Sequence, residues 1–231
     1  MRSAAPTPRF CSVMLERHIH AVSTTEASHE DLAATRERLK DRFPRGSTRR
    51  MTQLGLLIGA SLDELSPGAD DAVVYASAFA ESRALESYLE SFPAASPTLF
   101  QTSIHPSAVQ QALINRQHPI GEFFPLTGRT HLVAHALQTA MLSPAARVLL
   151  CGGEERGTWL LERGIASDRS FAFGLAVSSS PLGAMARVAL LPVADDGNSD
   201  YTLPEFFDAL VTRRAIDCLA APGIRLMLQW S

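Results

Sequence analysis

The sequence predicts an α/β layered fold, and three observations carry that prediction. Short apolar runs rich in β-formers, at 71–78 and 147–150, alternate with longer blocks of helical spacing at 51–65, 82–92, 106–115 and 128–142. Proline or glycine punctuates the boundaries, at Pro67-Gly68, Pro93 and Gly152-Gly153. Two further runs, 171–179 and 187–193, read as a hairpin pair joined through Pro181 and Gly183, which adds an antiparallel or mixed edge to the sheet.

In chain order, residues 1–28 are mixed in character, and the apolar run 11–15 reads as an edge strand. From 30 to 50 the text is highly charged, with Arg36, Arg38, Lys40 and Arg42 among Glu30, Asp31, Glu37 and Asp41. That pattern fits a solvated helix and a loop, ended by Pro44 and Gly46. Leu54, Leu57, Ile58, Leu62 and Leu65 then mark a buried helix over 51–65. Residues 71–78 are a buried strand, 82–92 a helix, 97–100 a loop, and 106–115 a helix with proline in its first turn.

Pro125 places the short strand 121–126 at an edge or strand end. Leu132, Val133, Ala136, Leu137 and Ala140 give 128–142 a buried side, and 147–150 is a strand ending in Cys151-Gly152-Gly153. A last helix is expected over 203–219, followed by a final strand or docking tail at 224–230.

Composition bounds the function. The 231 residues, 46% hydrophobic, are enough for one real core or two small ones. A net charge of −3 with 19% charged residues gives no sign of nucleic acid or an anionic membrane as partner. Lys40 is the only lysine, a skew towards arginine that fits a GC-rich coding sequence. The three cysteines, Cys11, Cys151 and Cys218, form no CxxC pair, so neither a zinc knuckle nor a disulfide framework is indicated. No apolar run approaches the ~20 residues of a membrane span, and the first ten residues lack an apolar leader core, so a cytoplasmic protein is expected.

Four segments carry a family resemblance: 49–60 (Arg49-Arg50-Met51 opening a helix), 71–78, 97–108 (Pro97 to Ala108), and 126–140 with the strand to Gly153. In this order they resemble the N-terminal half of the β-ketoacyl synthases, in particular the short ketosynthase-like proteins grouped with chain-length factors. The resemblance covers about 49–193. It implies a thiolase-like fold, N-terminal half only, with a mixed sheet and a buried elbow helix. It also implies an organisation into an extension with edge strand and charged helix (1–48), a ketosynthase-like domain (49–193), and a helix and tail packed on that domain (194–231).

Matching Leu132-Val133-Ala134 to the family's Leu-Val-Ala puts Gly128 at the position of the nucleophilic cysteine. No histidine-bearing motif of the family's C-terminal half follows.

Condensation needs a thiolate at a helix N-terminus, where the dipole and unpaired N–H groups depress the thiol pKa and hold an oxyanion. Gly128 has no side chain to acylate. Thr127 and Thr130 would need an adjacent general base, which the sequence does not reveal; helix capping is their plainer role. Cys151 is an alternative nucleophile, but its place at the end of an apolar strand fits an inert packed thiol.

His131 and His135, four apart, could bind zinc, but without a third ligand they read as polar or interface residues, and no metal or cofactor is expected. His105-Pro106 reads as a turn. Gly55, Gly59, Gly152 and Gly153 form no nucleotide loop and serve close packing.

An isolated half of a two-half fold would leave a face uncovered, which points to a partner. The resemblance implies pairing through the strand before the elbow, with Phe123, Phe124, Leu126, His131 and His135 at the interface. The partner is an active ketosynthase or a second copy, and an acyl carrier protein is a further partner. The pathway implied is fatty-acid- or polyketide-like, such as aryl polyene synthesis. The alternatives are a free-standing acyltransferase or hydrolase using Cys151, Ser107 or Thr127, or a non-catalytic carrier-binding module.

Overall fold

The computed structural model describes residues 14–27, 29–194, 197 and 199–231. Eight strands form one mixed sheet: β1 (Leu15–Glu26), β2 (Ala72–Ser77), β3 (Glu122–Thr127), β4 (Arg147–Glu154), β5 (Phe171–Ser178), β6 (Ala186–Pro192), β7 (Ile216–Ala221) and β8 (Ile224–Trp230), in the order β3-β2-β4-β5-β1-β6-β8-β7. β2 runs parallel to both β3 and β4, whereas β5 is antiparallel to its neighbours β4 and β1.

The helices are α1 (Leu32–Leu39), α2 (Gln53–Leu65), α3 (Ser82–Glu90), α4 (Pro97–Thr102), α5 (Ser107–Arg116), α6 (Leu132–Leu142), α7 (Trp159–Glu162) and α8 (Leu203–Val211). Alternation along the strands sends side chains to two cores. On one face Val74, Val148, Leu150 and Phe173 meet α6 and α8; on the other Val73, Tyr75, Leu149 and Cys151 meet α2 and α5. The aromatic pairs Phe171–Phe207 (4.6 Å between centroids) and Phe173–Phe206 (5.3 Å) fix α8 to the first face.

Several expectations are met. α2 is buried along almost its whole length, β2 is fully buried, and β3 lies at a sheet edge, where Pro125 costs least. Gly152 and Gly153 do serve close packing. A Cβ on Gly152 would lie 2.7 Å from the Ala76 carbonyl oxygen and the Phe173 ring, and one on Gly153 only 2.3 Å from the Phe171 carbonyl oxygen. On α2, a Cβ at Gly59 would stand 2.7 Å from the Phe43 ring.

Others are corrected. The N-terminal strand is not an edge strand: β1 starts at Leu15, lies between β5 and β6, and pairs with both; residues 11–13 of the expected run lie outside the described residues. For the same reason β5 and β6 are not a hairpin pair, because β1 separates them. Residues 97–100 are not loop but the start of α4, with Ser96 Oγ capping the Leu99 N–H and Pro97 in the first turn. The helix expected over 203–219 ends at Val211, and its second part becomes β7. Asp217 and Cys218 pair there with β8, which gives that part of the chain backbone partners a lone helix end would lack. The elbow helix begins at Leu132 rather than Gly128.

Candidate functional site

The turn between β3 and α6 holds Gly128, the position at which a degenerate nucleophile was expected. Thr127 closes the strand and is exposed; Gly128 follows at φ +156°, with nothing within 4 Å of the position its Cβ would take. The Arg129 guanidinium lies over the Phe79 ring at 5.5 Å, and Thr130 is exposed. His131 enters the helix in the left-handed conformation (φ +57°), a strained state for a side chain of this size.

The His131 N–H donates to Asp200 Oδ1 at 2.8 Å, so a carboxylate already faces the entrance of α6. His131 Nδ1 stands 3.8 Å from the same oxygen, and the His135 ring packs edge-on to His131 at 6.3 Å. Among the described residues no group of three His, Cys, Asp or Glu side chains is arranged to hold a metal ion. Seven of the eleven α6 residues are buried, which seats the helix firmly on the sheet; His135 and Leu142 point outward.

The structure separates this turn from Cys151. Cys151 is fully buried and belongs to the core on the α2 face, whereas α6 packs on the opposite face. Burial pushes its thiol far above the ordinary range. Ser107 is buried too, and its hydroxyl donates to the Thr102 carbonyl at 2.6 Å. Phe123, Phe124 and Leu126 on β3 are all half-buried. Phe123 packs towards the α2 core, while Phe124 and Leu126 pack towards the α6 core, so alternation turns both rings inward on opposite faces.

A cluster of carboxylates that sequence reasoning passed over lies beyond the C-terminal ends of β2 and β4. Glu154 accepts from the Ala78 N–H (2.5 Å), the Ser77 hydroxyl (3.2 Å) and the Phe79 N–H (3.3 Å), tying β4 to the loop after β2. Burial pushes it up to about 8, against those three donors, and the nearby Glu81 adds to the rise. Glu155 is raised to about 7, chiefly by burial, although the Leu54 N–H at the start of α2 donates to it at 2.9 Å.

Glu81 accepts from the Ala108 N–H (3.2 Å) and lies 3.0 Å from His105 Nδ1, so His105 does more than form a turn. Burial alone would raise Glu86, but the N–H groups of Leu160 and Thr158 and the charge of Arg83 hold it below its usual value. Each carboxylate joins two segments distant in sequence by accepting backbone N–H bonds. The signal for this was the pair Glu154-Glu155 directly after an apolar strand, where a solvated loop would be the simpler reading.

No family model matches the sequence. No curated protein matches it either. Solved structures do. A chain of the complex between the ketosynthase ApeO and its chain length factor ApeC from Xenorhabdus doucetiae superposes with a TM-score of 0.67 at 16% identity, covering 93% of this chain and 99% of that one. The ishigamide ketosynthase/chain length factor matches with a TM-score of 0.55 at 12% identity, over 75% of this chain and 65% of that one. The fold is therefore the thiolase-like α/β fold of ketosynthase and chain length factor structures.

Proposed function

We propose that the chain is a catalytically silent, chain-length-factor-like partner of an active β-ketoacyl–acyl carrier protein synthase. The observation that supports this reading is the turn before α6, in a fold like that of ketosynthase and chain length factor structures: Gly128 carries no thiol there, and the His131 N–H at the helix entrance is already taken by the Asp200 carboxylate. A helix N-terminus stabilises one nearby anion well, and here the Asp200 carboxylate already accepts an N–H at that entrance. Cys151 cannot substitute, because it faces the other core.

In this reading the partner ketosynthase holds the acyl chain, this chain shapes the pairing surface, and an acyl carrier protein delivers substrate to the pair in the cytoplasm. The pathway in this reading is fatty-acid- or polyketide-like, such as aryl polyene synthesis, and the likeness to a ketosynthase in complex with its chain length factor supports the pairing. Pairing would use the β3 edge, with Phe123, Phe124 and Leu126 on the strand and His131 and His135 beside it.

Reconstitution tests the assignment. With a ketosynthase from the same gene neighbourhood, its carrier protein and an acyl donor, intact-mass measurement should find the acyl group on the ketosynthase and none on this chain. A stable acyl adduct on Cys151, Ser107 or Thr127 would replace this reading with that of a free-standing acyltransferase or hydrolase.

A further inference from the structure

A cleft of about 940 Å³ opens beside the start of α2, between α1, α3, α4 and the segment after β4. It is separate from the elbow, since none of residues 127–131 lines it. Its size falls in the range of about 300–1,000 Å³ usual for small-molecule sites. Five arginines line it: Arg36, Arg49, Arg50, Arg83 and Arg156. Arg83 is committed to Glu86 at 3.2 Å, and Arg36 Nε donates to the Thr48 carbonyl. The side chains of Arg49, Arg50 and Arg156 make no hydrogen bond or ion pair among the described residues, and all three residues are exposed.

The acids in the cleft do not cancel this charge locally. Glu30 is bound by Arg38, Asp31 caps α1 through the Ala34 N–H, and Glu155 is held by the α2 backbone. Only Glu162 lacks such a partner among the described residues. The cleft also has apolar lining, from Leu32, Met51, Leu99, Trp159 and Leu161. Three uncommitted guanidinium forks exceed what one carboxylate can use, and their planar donors match phosphate oxygens. The apolar lining calls for a carbon-rich or aromatic portion on the same ligand.

We propose that this cleft is a binding site for a diphosphate-bearing ligand with an apolar or aromatic portion, of the nucleotide or coenzyme A class. Arg49, Arg50 and Arg156 grip the diphosphate, and the apolar lining at Trp159 and Leu99 receives the remainder. Binding is electrostatic at the rim and weakens as salt rises.

Calorimetric titration of the full chain with ADP, coenzyme A and pyrophosphate tests this. Saturable binding of ADP or coenzyme A is expected, tighter than that of pyrophosphate. Arg49→Gln/Arg50→Gln and Arg156→Gln should each weaken it about tenfold or more, while the melting temperature stays unchanged because these residues are exposed. The proposal is overturned if neither organic probe binds saturably, if both variants bind like the wild type, or if pyrophosphate binds as tightly as the larger probes.

Discussion

Cys151 sits among Val73, Tyr75 and Leu149 with no exposed surface, and its thiol is held protonated by burial. A thiol reagent needs the thiolate, so in the folded chain Cys151 should label only as fast as the protein opens, well after the half-buried Cys218. Site-resolved mass spectrometry after brief alkylation checks the order, and rapid labelling of Cys151 would contradict its placement. Gly153 gives a second test at this scale. The Cβ of Gly153→Ala would meet the Phe171 carbonyl at 2.3 Å and the Ala172 Cα at 2.9 Å, both backbone atoms in a sheet interior. The expected cost is about 1–3 kcal/mol, read as a lower urea midpoint with the slope unchanged.

Elements show where the sequence was legible. α2 and β2 were, because burial on nearly every side leaves an apolar run that admits one reading. β1 was not: its text, from Glu16 through Thr25, mixes charged and hydroxyl residues, yet it fills an interior position. The reason lies in its partners. Arg17 Nη2 donates to the carbonyls of Met141 and Ser143 at the end of α6, and Glu16 is held by Arg187, so these polar side chains find partners without an apolar pattern. β7 was missed because its pairing with β8 is a tertiary fact that overrides a helical pattern carried on from α8.

At the turn before α6, Gly128 was singled out through a motif match. Asp200 was not, since it comes from a segment some seventy residues away. The carboxylate cluster at the ends of β2 and β4 makes a prediction of its own. Glu154 titrates near 8 in the fold and near an ordinary 4.5 when unfolded, and Glu155 near 7. The folded state therefore binds more protons between these values. Its advantage is full below about pH 4.5 and is lost as pH rises to about 8. For Glu154 the difference is on the order of 5 kcal/mol at most. Chemical denaturation at pH 5.5 and 8.5 should show lower stability at the higher pH from this pair, and Glu154→Gln should flatten that slope. An unchanged slope would mean that Glu154 is ionised in the fold at neutral pH.

At the scale of the whole molecule, the face that an isolated half was expected to leave bare is covered by α6 and α8. The outward residues of α6 are mostly polar, with His135 and Leu142 exposed. A sheet face does stay open, on the outer side of β6 and β8, where Met14, Arg187, Leu191 and Met227 border a shallow groove. The two edges of the sheet are β3 and β7. β3 has unpaired backbone on its outer side among the described residues, and its half-buried Phe123 and Phe124 lie on either face. An added strand there would gain ladder hydrogen bonds and complete the cover of both rings.

The most direct test of the partner assignment is native mass measurement after co-expression with the neighbouring ketosynthase. Wild type should be recovered in one complex with equal numbers of both chains, and Phe123→Asp and Phe124→Asp variants, checked as folded by circular dichroism, should be recovered apart from it. Recovery of the wild-type chain alone at 25.0 kDa beside a ketosynthase that is complete without it would contradict the account.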